Sequence, residues 1–245
     1  MVQLIHNELR KLRRERSLRF ALALHLAPWV MVAVASLMGV GGTGSSGYFI
    51  LHNQSMLVTG LVACVVTSIG FHVELTNRTW FDWLIQPQGA SRLVVAKLLT
   101  IGVILAFFVA ISVALMVGLM VGSGVRSGLD RMVVAYLGLQ CGTFVLMVAI
   151  AAAVCLLTRN VVVVNIVGVA IGMVTMVLMG AEFSWAVPTV WPYRLGLTLL
   201  DQEYAYQWPG ALPAGGVLYA TCTVAALVTA TFWARRPRVI NASLR

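Results

Sequence analysis

Residues 93–122 read LVVAKLLTIGVILAFFVAISVALMVGLMVG, a run in which Lys97 is the single charge. About 20 apolar residues are enough for a helix to cross the ~30 Å hydrocarbon core of a bilayer. Lipid offers no partner to backbone N–H and C=O groups, and the run is too long and uniform for a barrel strand, so it must be helical. The rest of the chain agrees. Of its 245 residues, 60% are hydrophobic and 10% charged, with a mean hydropathy of +0.92. A soluble domain carries about 25% charged residues. The sequence therefore reads as an all-α, polytopic membrane protein.

Working outward from this run, five more stretches have the length and apolarity of spans: 18–40, 56–73, 132–157, 161–180 and 216–234. Pro28 inside the first is no obstacle, because proline is common in membrane helices. The four cysteines, Cys64, Cys141, Cys155 and Cys222, all fall within spans and form no C-x-x-C pair. They read as small apolar residues, with neither a disulfide framework nor a metal site expected.

Charge orients the bundle. With the N-terminus in the cytoplasm, 14 of the 17 basic residues fall on the inner side and only Arg126, Arg131 and Arg194 outside. By the positive-inside rule, both termini and residues 74–92 are expected to face the cytoplasm, with the chain multi-pass in the cytoplasmic membrane. The net charge of +9 is then a matter of topology and lipid headgroups, and no nucleic-acid partner is expected. Residues 1–17 place Ile5, Leu9 and Leu12 on one side of a helix and Asn7, Arg10, Lys11 and Arg14 on the other. That is the pattern of an amphipathic helix on the inner membrane surface. Residues 18–234 form the six-span domain, and 235–245 a basic cytoplasmic tail.

Catalytic signatures are missing. Neither lysine is preceded by glycine, so no P-loop is present, and there is no H-E-x-x-H and no G-x-S-x-G. No catalytic residue and no metal ligand is assigned. Helix-packing signals are stronger: Gly118 with Gly122, Gly138 with Gly142, and Gly168 with Gly172 are G-x-x-x-G pairs, which allow close backbone approach. His25, Gln140 and Asn165 are polar positions inside spans and must face protein or water. They are candidates for a substrate path, with interhelical hydrogen bonding as the plainer role.

Between the second and third spans lies ELTNRTWFDWLIQPQGASR, residues 74–92. Thr76 and Asn77 can cap a helix of about two turns, with Trp80, Phe81, Trp83, Leu84 and Ile85 on one broad side and Arg78, Asp82 and Gln86 polar. Pro87 and Gly89 end it, and Ser91 can cap the next helix. Such a piece serves either as a headgroup-level tryptophan belt or as a docking knob for a soluble partner. Beyond the fifth span, Trp185, Trp191 and Tyr193, with nearby prolines, predict short re-entrant or interfacial helices over 182–215 that cap the outer side.

Six spans, the basic amphipathic start, and the run Glu74, Thr79-Trp80, Leu84, Pro87, Ser91-Arg92 and Ala96-Lys97-Leu98-Leu99 resemble a type-2 ABC exporter permease. The nearest likeness is to permeases of lantibiotic-immunity transporters. Gln88, Gly89 and Ala90 depart from that pattern by separating Pro87 from Ser91. The resemblance implies a transport subunit without its own ATPase site, working with an ATP-binding subunit dimer and a second permease, identical or related. ATP and Mg would sit on the partner. The coupling residues implied are Glu74, Arg78, Thr79, Trp80, Asp82, Trp83, Leu84, Pro87 and Arg92. The cargo implied is an amphiphile such as an antimicrobial peptide, a drug or a lipid, which would make the transporter one of immunity or antibiotic resistance. The alternatives are a membrane scaffold or assembly protein, such as a permease-like subunit for cofactor maturation, and a membrane-embedded enzyme acting on lipids.

Overall fold

The computed structural model describes residues 1–38, 45–76, 89–122, 124, 127–200, 203 and 206–235. Its elements are α1 (Val2–Leu12), α2 (Arg16–Leu37), α3 (Ser45–Thr76), α4 (Gly89–Gly122), α5 (Leu129–Thr158), α6 (Val161–Leu178), a 3-10 turn (Glu182–Ala186), α7 (Trp191–Leu200) and α8 (Ala211–Ala234). There is no strand among the described residues. Six helices are long and apolar enough to cross a membrane: α2 to α6 and α8.

At 1.5 Å per residue, the 32 residues of α3 and the 34 of α4 extend about 48 and 51 Å. Both overrun the ~30 Å hydrocarbon core. The surplus is long enough for the charged end of each helix to lie outside that layer. In α4 the inward positions follow the helical repeat, with Leu93, Lys97, Ile101, Ile104, Phe108, Ser112, Met116 and Met120 all buried. Opposite them, Val103, Phe107, Leu115 and Leu119 are exposed, as a lipid-facing side should be. Helix α3 packs on α2, α5 and α6, and α5 also meets α7 and α8, which makes α3 and α5 the centre of the bundle.

Two details differ from the sequence reading. Helix α3 begins at Ser45 rather than near position 56. The polar residues His52 and Asn53, which lower hydropathy there, are held by Tyr193 of α7. Ser91 does not cap α4: the helix starts at Gly89, and the Ser91 hydroxyl accepts a hydrogen bond from Arg235 Nε at 2.8 Å.

The glycine pairs divide. Gly168 and Gly172 press α6 onto α3, where Cβ atoms would fall 2.7 Å from Cys64 Sγ and Leu57 Cδ1. Gly142 lies against Pro192 of α7. Gly118, Gly122 and Gly138 have open space in front of them.

Candidate functional site: the charged end of the bundle

Helix α1 exposes Asn7, Arg10 and Lys11 and turns Leu9 and Leu12 inward, as its amphipathic pattern requires, and Arg14 is exposed in the turn that follows. Glu8 lies on the inward side too and is buried. It reaches Lys97, on the third turn of α4, whose Nζ donates to Glu8 Oε2 at 2.6 Å and to the Gly70 carbonyl at 2.6 Å. Glu74, near the end of α3, brings Oε2 to 2.6 Å from the same Nζ as an ion contact. Lys11 closes the group, donating to Glu8 Oε1 at 2.7 Å and to Glu74 Oε1 at 3.1 Å. The Lys97 ammonium also lies 5.8 Å from the Phe71 ring centroid.

Two carboxylates and two ammonium groups cancel in charge. Glu8, Glu74 and Lys97 are each at most 2% exposed, so removing one member leaves an uncompensated buried charge. Such a loss costs about 3–5 kcal/mol, whereas replacing a whole buried ion pair by apolar groups is often neutral. Burial by itself raises the Glu8 carboxyl, but Lys97 and Lys11 outweigh this and hold its pKa below the ordinary value. For Lys11, burial lowers the ammonium, and the carboxylates of Glu8 and Glu74 more than reverse it, holding its pKa above the ordinary value.

The quartet joins three helices around the two ends of the 77–88 segment. Among the residues expected to couple to a partner, Glu74 is thus buried, and its carboxylate faces α1 and α4. Arg92 is exposed beside Ser91. Arg78, Thr79, Trp80, Asp82, Trp83, Leu84 and Pro87 lie outside the described residues. Glu8 was missed by the sequence reading. The available signal was its place, three residues after Ile5 and four before Leu12, as a charge on the apolar side of an amphipathic helix.

The three polar span residues separate. His25 Nε2 meets the Ser112 hydroxyl at 2.8 Å, with its ring between those of Phe108 and Phe144. Thr59 donates to Gln140 Oε1 at 2.9 Å. These two buried hydrogen bonds tie α2 to α4 and α3 to α5. Tyr136 is buried beside Trp29, edge to face with ring centroids 5.9 Å apart. Asn165 lies apart, half-buried, with the Ser68 hydroxyl 3.5 Å from its Oδ1.

At the opposite end, the 3-10 turn and α7 pack over the starts of α3, α5 and α8. Trp191 Nε1 donates to the Leu212 carbonyl at 2.8 Å, and Tyr193 donates its hydroxyl hydrogen to Asn53 Oδ1 at 2.6 Å. Trp185 meets Trp208 edge to face with centroids 5.0 Å apart. Arg194 bonds the Met179 carbonyl and lies over the Tyr206 ring, whose hydroxyl pairs with Ser184.

An all-helical bundle with six membrane-length helices among the described residues and one end knit by ions defines the class, a polytopic membrane protein. The chain belongs to the ABC-2 family of transporter proteins: the model for "ABC-2 family transporter protein" matches residues 4–179. The matched stretch runs from α1 to the end of α6 and so contains the whole quartet, while the aromatic cap and α8 follow it. No curated protein and no solved structure matches the chain. Membership supports the likeness to a type-2 ABC permease, a membrane component of a transporter.

Proposed function

We propose that this chain is the permease subunit of an ABC exporter that moves an amphiphile out of the cytoplasmic membrane, powered by ATP hydrolysis on a separate ATP-binding dimer. The observation that carries this reading is the quartet. Glu74 and Lys97 flank the 77–88 segment and are bound to each other and to α1, so a push on that segment is passed to α1, α3 and α4 together. In this arrangement Trp80 is the anchor on the ATPase, Trp83 and Leu84 support it, and Glu74 acts by positioning the segment. A second permease completes the membrane part. The scarcity of charge inside the spans favours an amphiphilic cargo over a naked ion, and within that class the immunity-type resemblance favours an antimicrobial peptide.

The test is co-purification of the neighbouring ATP-binding subunit with wild-type and Trp80→Ala permease. Truncating a buried interface aromatic costs about 2 kcal/mol or more, roughly a thirtyfold loss of affinity, while membrane insertion is unchanged. Full retention of the ATPase in both Trp80→Ala and Trp83→Ala would make this segment a headgroup anchor instead. Orientation is checked in a background lacking Cys141 and Cys222. A cysteine at the exposed Ser127 reacts with an impermeant reagent from outside, and one at the exposed Ser17 does not.

A further inference from the structure

Between α4, α5 and α8 runs an open apolar groove of about 270 Å³, lined by Leu98, Gly102 and Leu105 of α4, Phe144 and Val148 of α5, and Leu227 of α8. Its α4 wall extends from Leu98 to Val109, about 16 Å at 1.5 Å per residue. That is the hydrocarbon depth of one leaflet, half of the ~30 Å core. The helical repeat carries the same stripe of α4 from Leu98 back through Val95 to Ser91, and the same stripe of α8 from Leu227 through Thr231 to Arg235. The two stripes meet where Arg235 Nε donates to Ser91 Oγ. An exposed guanidinium therefore stands about two turns above the groove on both of its walls, with the exposed Arg92 next to Ser91.

We propose that this groove binds an anionic bilayer phospholipid, its acyl chain lying along Gly102 and Phe144 and its phosphate held by Arg235. A basic charge beyond one end of an apolar slot matches that molecule. Arginine suits the task because its planar fork holds phosphate oxygens in pairs. Gly102 keeps the slot open, since a Cβ there would meet nothing within 4 Å. The proposal concerns a resident lipid, distinct from the cargo the protein moves.

The test is native mass spectrometry of the full chain in detergent, titrated with phosphatidylglycerol and phosphatidylcholine of identical chains. Phosphatidylglycerol is expected to bind about fivefold more tightly, the contribution of about one basic residue at a membrane surface. Arg235→Ala should erase the preference, and Arg235→Lys should keep most of it. Gly102→Leu should lower binding of both lipids tenfold or more; if that variant folds poorly, Ala106→Leu narrows the same slot. In a Cys222→Ser background, phosphatidylglycerol should also slow alkylation of Cys141, which lines the groove, by an apolar maleimide. Retained lipid in the filled variants, or retained preference in Arg235→Ala, overturns the proposal. So would a Cys141–Cys141 cross-link between copies, which would place a second chain on this face. Clearance of the lipid during ATP turnover by the assembled complex would likewise overturn it, by marking the groove as a cargo site.

Discussion

The two ends of the bundle are held by opposite means. At one end, four long charged side chains from α1, α3 and α4 meet around Lys97, with contacts of 2.6 to 3.1 Å made at the tips of flexible stems. At the other, α7 is seated by hydrogen bonds to carbonyl and amide oxygens, one of them from Arg194, and by backbones pressed together at glycine. A Cβ on Gly196 would lie 2.9 Å from the Ala135 carbonyl oxygen, and one on Gly215 2.9 Å from that of Trp185. Stems that pivot keep an ion group intact while the helices beneath them tilt. Close backbone packing has no such tolerance, because interiors are dense and misfit is felt at once. The charged end thus tolerates tilt of its helices, and the aromatic end resists it.

The largest way to break the contrast is Lys97→Met, which leaves Glu8 and Glu74 facing each other with only the half-exposed Lys11 between them. A loss of about 3–5 kcal/mol is expected, read as thermal denaturation in detergent. Adding Glu8→Met to Lys97→Met should return much of it, since Lys11 and Glu74 then remain as a neutral pair. Equal damage in the single and double variants would mean that α4 is held by packing and that the ions are incidental.

Gly196→Ala comes next. Forcing a methyl against the Ala135 carbonyl and the His52 ring costs about 1–3 kcal/mol, read as a lower melting temperature in detergent. An unchanged melting temperature would show that α7 has room to shift.

The smallest effect is the loosening of α1 alone with pH. Glu8 has a lowered pKa in the folded protein, so its contribution is present above the ordinary carboxylate value of 4.5 and is lost as pH falls through the depressed one. Lys11 has a raised pKa, so its contribution is present below 10.5 and is lost as pH rises through the higher value. Spin labels at Asn7 and Arg92, both exposed, should report a narrow distance distribution between these limits and a broad one beyond either. A distribution that broadens near neutral pH would contradict the ion arrangement.

The spans were legible because hydropathy is a local sum: twenty apolar residues in a row have one stable state in lipid, whatever surrounds them. The amphipathic start was legible for a similar reason, since Ile5, Leu9 and Leu12 recur at the helical period. Legibility ended where a residue's role depends on a partner far along the chain. His52 and Asn53 appear to end a span when read by hydropathy, yet they extend α3 because Tyr193, some 140 positions later, meets them. Glu8 looks like one more charge on a basic helix until Lys97 is brought to it across 89 positions.

The sequence by itself determined that this is a six-helix membrane protein with a basic amphipathic start, since burial in lipid depends on composition and period alone. Tertiary structure decided that the start is locked to the ends of α3 and α4, that His25 meets Ser112 and Gln140 meets Thr59, and that α7 closes the far end. Those outcomes rest on single close contacts between distant residues, whose energies exist only once the helices are packed.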